Sequence, residues 1–443
     1  MSLAERYFRE IAVFGLGFVG LPLSLCFTLG GCKVVGVDAN ADLVEEINRG
    51  VTHLQEQYRG FPIQQILQRE LARGSFRATT DPREALASIQ DIVVTVGIPV
   101  AGGEPDPGPL AQCLRSIAAG LKREDLVLVR STLVPGMMRN LVRPILEESG
   151  LRAGEDFYLG YAPERIAEGR AFEEFVIMPV VVSGVDMDSL EESAALLRVI
   201  TRAEIVPASC FEAAETAKLL ENISREVNIA LVNELSAVTQ ALGLSVFEVV
   251  RLANTHRRVR LLQPGPGVGG YCLPNAYHYL APVARGAGVD LSLMPAARRV
   301  NDLMPRRVAD MVLRLLPVPP VQARVAALGL AMKDFSSDSR SSPALRVAGY
   351  LREAGVSVRA FDPAVPRSCS FQVSSLEEAL DGAHGAVILA KQKGLAIEDP
   401  GVFARLLDPA GPFVVDTRNI YGNPACLPDR QVPKDLGVRI ISL

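Results

Sequence analysis

The chain has 443 residues, enough for two or three domains with separate cores. Hydrophobic residues make up 49% and charged residues 22%, the pattern of an ordinary soluble globular protein, and a net charge of -4 supplies no basic excess for a nucleic-acid partner. No stretch reaches the roughly 18 uninterrupted apolar residues of a membrane span, and MSLAERYFREIAVFG has charges where a signal peptide needs an apolar core, so a cytoplasmic protein is expected. The seven cysteines, at 26, 32, 113, 210, 272, 369 and 426, are odd in number and form no CxxC pair. With only four scattered histidines, neither a disulfide framework nor a metal site is expected.

In chain order, Ile11 to Phe14 reads as a short apolar strand. Gly15-Leu-Gly17-Phe18-Val19-Gly20 follows and opens an apolar helix to about Leu29, and a second strand, Lys33 to Val37, ends in Asp38. Strand, GxGxxG, helix, strand and an acid about 20 residues on together make a dinucleotide-binding fingerprint. The glycines let backbone amides and the helix N-terminus approach a pyrophosphate. Asp38 should accept hydrogen bonds from ribose hydroxyls and repel a 2′-phosphate, which selects NAD over NADP.

Further βα units are expected at Asp91 to Val96, at Leu126 to Val129 before Ser131-Thr132, and at Val180 to Gly184, giving a parallel, doubly wound sheet with ligands outside the carboxyl ends of its strands. On residue type alone, Ser131 and Thr132 serve as helix N-caps and Glu164 is a surface-loop acid. Phe211 to Leu242 reads as one long helix stopped by Gly243. Glu215, Lys218 and Asn222 share one of its faces, which by geometry alone is a solvated charged stripe. Its apolar positions, including Leu220, Ile223, Val227, Leu231 and Leu235, exceed what one buried face needs and point to packing against a partner.

The glycines and prolines from Pro264 to Gly270 describe a loop that lets a ligand sit against main chain, and Cys272 follows directly. A thiol beside such amides reads either as a nucleophile or as buried packing. Pro317 to Pro320, PVPP, is the expected linker. A second βαβ unit then starts at Val325 to Leu330, with Asp338 to Pro343 opening a helix and a strand at Val356 to Phe361 before Asp362. It lacks GxGxxG and need not bind a dinucleotide.

Asn254-x-His256-x-Arg258-Val259, the run Leu262 to Gly270, Cys272, the loop Tyr161 to Gly169 and Asp416-Thr-Arg418-Asn-Ile-Tyr421 together resemble the UDP-sugar 6-dehydrogenases (the UDP-glucose/GDP-mannose dehydrogenase family), most closely the UDP-N-acetylmannosamine branch. The resemblance spans about residues 10 to 422. It implies two Rossmann-like doubly wound α/β domains joined by a long central helix and a helical dimerisation region, with residues 1–206 binding NAD, 207–316 central and 321–443 binding UDP. It also implies a UDP-sugar held between the two Rossmann-like domains, and a homodimer. Oxidation at C6 would run from alcohol to uronic acid through a thiohemiacetal and a thioester on Cys272. Thr132, Glu164, Lys218 and Asn222 would share the catalysis, and Gly15, Gly17, Phe18, Val19, Gly20 and Asp38, with Thr132 near the nicotinamide, would hold NAD. Arg165, His256, Arg258, Gly269, Lys333 and Arg418 would join Glu164, Lys218 and Asn222 in binding substrate, with Arg258 reaching the neighbouring subunit's sugar.

Two stretches depart from the family. After Gly50 the usual Glu-Pro-Gly-Leu element is missing, and Gln55 to Tyr58 stands there. Four residues after the cysteine, Ala276 replaces the family's aspartate, preceded by Asn275. Two alternatives therefore stay open, a two-electron or otherwise altered oxidoreductase and a UDP-sugar-binding protein without turnover; a further reading, redox-neutral use of NAD as in epimerases, would need no Cys272. With Ala276 unable to move a proton, Lys218 and then His278 are the candidate substitutes, although a tyrosine-flanked histidine is also ordinary packing.

Overall fold

The computed structural model describes residues 9–367, 369–422 and 437–443; Cys426 lies outside them. The chain forms two compact units, Met1–Glu221 with His278–Val289 and Asn222–Tyr277 with Asp290–Leu443.

The first unit is built on continuous apolar strands, a pattern that suits a sheet covered on both faces. The strands of its main sheet are β1 (Glu10–Phe14), β2 (Lys33–Val37), β3 (Phe76–Thr79), β4 (Asp91–Val94), β5 (Leu126–Val129), β6 (Tyr158–Tyr161), β7 (Val180–Gly184) and β8 (Ile205–Pro207). They lie in the order β8-β7-β6-β5-β4-β1-β2-β3. The order reverses at β1 and β4, the switch point at which doubly wound sheets bind ligands. The sheet is not parallel throughout as expected, because β7 pairs antiparallel with β6, Gly160 facing Gly184. The unforeseen strand β6 causes this: residues 162–179 return the chain at the end of the sheet where β6 finishes. Ile11, Val13, Leu23, Phe27, Leu128 and Phe172 are fully buried in the core.

The second unit holds β9 (Arg324–Leu328), β10 (Ser357–Phe361), β11 (Gly385–Ile388), β12 (Phe413–Asp416) and β13 (Arg439–Ser442), all parallel, in the order β10-β9-β11-β12-β13. Its switch point lies between β9 and β11. Val232, Met304, Val308 and Val312 share a core with Val325, Val347 and Phe413, so central helices and sheet of this unit are one packed body. Among the described residues, no helix is long and apolar enough to cross a membrane.

Candidate active site

The switch point of the first sheet has the geometry of a dinucleotide site. Gly15 adopts φ 92° and donates its N–H to Val37 O at 2.8 Å. A Cβ on Gly20 would overlap Gly15 O and lie 2.6 Å from Thr95 Oγ1, whereas one on Gly17 would meet nothing within 4 Å. The outer glycines thus close the turn, and the middle one leaves open space for a ligand to approach the main chain. The half-buried Asp38 accepts Leu16 N at 2.7 Å and Asn40 N at 2.9 Å, one on each carboxylate oxygen, which aims it while leaving lone pairs for ribose hydroxyls. Half-buried Phe18, edge-on to His53 at 5.5 Å, and Val19 complete the turn. These residues fit NAD.

Beyond β5 and β6, carboxylates fix the loops. Glu164 is buried, not a surface acid: one oxygen accepts Arg165 N at 2.7 Å and Ile166 N at 2.9 Å, and the other takes Arg130 Nη2 at 2.5 Å. Glu174 receives Ala167 N at 2.5 Å, and Glu56 receives Gly169 N at 2.5 Å and Ala171 N at 2.9 Å. The segment Gln55 to Tyr58 therefore supplies the carboxylate that caps the helix Ala171–Ile177. Composition gave no sign of that role. Arg165 pairs with Glu221 at 2.7 Å and donates to Pro179 O at 2.8 Å.

The long helix runs Phe211–Ala241, and its charged face is not solvated: Glu215 is 0%, Lys218 8% and Asn222 5% exposed. Burial raises the Glu215 pKa, while its carboxylate accepts Gly136 N at 2.5 Å and Met138 N at 2.8 Å. Glu215 thereby holds the loop after β5 that carries the half-buried Thr132. Loss of such an acceptor leaves buried amides unpaired, at about 1–3 kcal/mol each.

In the second unit, Cys272 is exposed and is the first residue of the helix Cys272–Gly286, so the unsatisfied amides and dipole of that first turn favour negative charge there. Asn222 donates Nδ2 to Cys272 O at 3.2 Å, tying its amide to the peptide of the exposed cysteine. Ala276 is fully buried four residues on. In the first unit, His278 has Nδ1 2.9 Å from Gly103 O. Asn254 closes the exposed loop of His256 and Arg258, accepting Leu261 N at 2.7 Å and donating to Leu261 O at 2.9 Å.

At the carboxyl end of the second sheet, Arg418 makes a two-point ion pair with Asp334, Nε to Oδ1 at 2.9 Å and Nη2 to Oδ2 at 2.7 Å. Buried Asp416 receives Arg418 N, Ile420 N and Tyr421 N, which fixes the loop that presents this guanidinium. Lys333 is half-buried beside Asp334. A Cβ on Gly269 would lie 2.6 Å from both Pro343 Cδ and Ser341 O, so the loop before Cys272 is packed on this sheet end. Cations and backbone amides at a switch point suit a phosphorylated ligand.

Three family models match in succession: the NAD-binding domain of the UDP-glucose/GDP-mannose dehydrogenase family over residues 9–201, its central domain over 212–303 and its UDP-binding domain over 326–423. A UDP-N-acetyl-D-mannosamine dehydrogenase of Pyrococcus horikoshii is 35% identical, the match covering 94% of this chain and 96% of that one. A UDP-N-acetyl-D-glucosamine 6-dehydrogenase of Pseudomonas aeruginosa is 32% identical over 86% of this chain and 90% of its own. Among solved structures, the UDP-D-ManNAc dehydrogenase of Pyrococcus horikoshii superposes with TM-score 0.85 at 33% identity, covering 98% of this chain and 99% of that one. The UDP-glucose dehydrogenase of Pyrobaculum islandicum gives 0.83 at 26% identity, with 100% and 99% covered. The chain is an NAD-dependent dehydrogenase belonging to the UDP-glucose/GDP-mannose dehydrogenase family.

Proposed function

We propose that the chain oxidises a UDP-N-acetylhexosamine at C6 from alcohol to uronic acid, with Cys272 as nucleophile. Residues 1–206 bind NAD, 207–316 are central and 321–443 bind UDP. The observation that carries this reading is the placement of an exposed Cys272 at a helix N-terminus, behind a glycine loop packed on a sheet end that presents Arg418 and Lys333. The hexosamine assignment is supported by the relatives and by Asn254, His256 and Arg258.

NAD, which Gly15 to Gly20 and Asp38 would hold, would supply the hydride acceptor for two oxidations at C6, so one acid would correspond to two NADH. Cys272 Sγ adds to the aldehyde carbon and forms the C–S bond, while the Lys218 ammonium and the Asn222 amide hold the charge on the resulting oxygen. After the second oxidation the C–S bond is that of a thioester. Water cleaves it with help from Glu164, releasing the acid and regenerating the thiol. Thr132 orients the sugar, and Lys333 and Arg418 bind the diphosphate; Arg165, Gly269, His256 and Arg258 complete the substrate contacts. Remote diphosphate binding holds C6 in place for the chemistry. Lys218 takes over the proton transfer that the family assigns to its aspartate.

The helix Phe211–Ala241 leaves Leu231, Leu235 and Val238 exposed, with Leu242 just beyond it 67% exposed, a stripe at spacings of three and four that supports a homodimer. Arg258 would then reach the neighbouring subunit's substrate. Sedimentation at micromolar concentration tests this, and a monomer throughout would remove it.

Ala276 favours one second reading, a two-electron oxidation that stops at the aldehyde. Ala276→Asp decides between them, with Ala276→Asn as control for burying a larger polar group. A rise in acid formation on the order of tenfold with Asp but not Asn supports impaired proton transfer in the native protein. An unchanged rate with two NADH per turnover supports Lys218 as the replacement.

A further inference from the structure

We infer that Arg340 is a positioning residue that couples occupancy of the nucleotide end of the second sheet to the reactivity of Cys272. The inference rests on the UDP-binding reading above. All the groups involved lie within the second compact unit.

The loop before Cys272 is braced at both ends. At its start, a Cβ on Gly265 would lie 2.5 Å from Arg418 Nη1. At its end, Gly270 N donates to Arg340 O at 3.2 Å, and a Cβ on Gly270 would overlap Met332 Sδ. The Arg340 guanidinium sits 4.9 Å from the centre of the Tyr271 ring, the residue immediately before the thiol. Its direction is fixed by buried Asp338, which takes Arg340 Nη2 at 2.6 Å, Nε at 2.9 Å and the backbone N at 2.9 Å.

Arg340 therefore grips the loop twice, by main chain at Gly270 and by its charged plane at Tyr271. Asp338 links it to the nucleotide end, because Asp338 O accepts Met332 N at 2.8 Å and Met332 directly precedes Lys333. Arg418, the other proposed diphosphate cation, is the group against Gly265. A diphosphate that draws on Lys333 and Arg418 acts on the neighbours of both braces. At 265, 269 and 270 neighbouring groups bear directly on the main chain, where a Cβ would meet Arg418 Nη1 at 2.5 Å and Pro343 Cδ at 2.6 Å and would overlap Met332 Sδ, so their displacement moves the backbone that leads to Tyr271 and the first turn of the cysteine helix.

The test uses the full chain and UDP, which carries the diphosphate but no sugar. UDP affinity is measured by calorimetry, and carbamidomethylation of Cys272 by iodoacetamide is followed on its own peptide by mass spectrometry. In the native protein saturating UDP should slow the reaction by about fivefold. Arg340→Gln should melt cooperatively and bind UDP within about threefold of native, yet lose that response; Arg340→Lys, which keeps a charge for Asp338 and Tyr271, should recover part of it. If UDP slows labelling equally in Arg340→Gln, the effect is simple shielding and the coupling is wrong. The coupling is also wrong if UDP binds the native protein without changing the rate. No UDP binding to the native protein overturns the nucleotide reading itself, and the coupling with it.

Discussion

The two sheets begin with the same turn and use it differently. After β1, Gly15 at φ 92° donates to the last carbonyl of β2, and Leu16 N donates to Asp38. After β9, Gly329 at φ 81° donates to Phe361 O at 2.9 Å, the last carbonyl of β10, and Leu330 N donates to Asp362 at 2.7 Å. In the first turn Asp38 remains half-buried with capacity to spare. In the second, Asp362 is buried and consumed, accepting Ala331 N, Ala364 N, Val365 N and Gln392 Nε2 as well. A Cβ on Gly329 would also overlap Ala390 O, so the segment just after β11 closes over that turn. The same backbone device is a ligand site where its acid stays reachable and a structural clasp where the acid is spent. Around the clasp, Lys333 and Arg418 are the groups proposed to take over recognition.

The largest effect should come from filling the first turn. Gly20→Val puts side-chain atoms onto Gly15 O, so NAD affinity should fall by about a hundredfold or more while UDP affinity stays native. Equal loss of both ligands would show global damage. Next, Asp362→Ala should lower unfolding free energy by about 2–4 kcal/mol, because several buried amides lose their acceptor. A denaturant midpoint equal to native would mean that Asp362 is not a clasp. Arg418→Ala should weaken UDP by about 10- to 100-fold with NAD unchanged, since the guanidinium proposed to meet the diphosphate is lost. Asp38→Ala should have the smallest effect, about tenfold on NAD, and should narrow the preference over NADP. Tighter binding of NADP than NAD by the native protein would overturn its role.

Much of this was legible in the chain, for identifiable reasons. Gly15, Gly20 and Asp38 are readable because a dinucleotide turn tolerates few other residues, and Asp416 to Tyr421 and the Cys272 segment are readable through resemblance. What periodicity misses is whatever depends on a second element. Glu215, Lys218 and Asn222 share a helix face in sequence, but whether that face meets water or is buried is a tertiary fact. Glu56 caps a helix more than a hundred residues away. Cys272 reads from sequence only as the residue after a glycine loop, yet it opens a helix, and Pro274 is welcome in that first turn. The reversal at β7 was hidden because strand polarity leaves no mark on an apolar run.

The central claim is a four-electron oxidation through Cys272, and product counting tests it most directly. UDP-N-acetylhexosamine is turned over with the native protein and with Cys272→Ser, NADH is read by absorbance, and products are identified by mass. The native protein should yield two NADH per uronic acid. Cys272→Ser should form no acid, because an ester-like adduct replaces the thioester that water must cleave. One NADH per aldehyde from the native protein, an epimer with no NADH, or undiminished acid from Cys272→Ser would contradict the account.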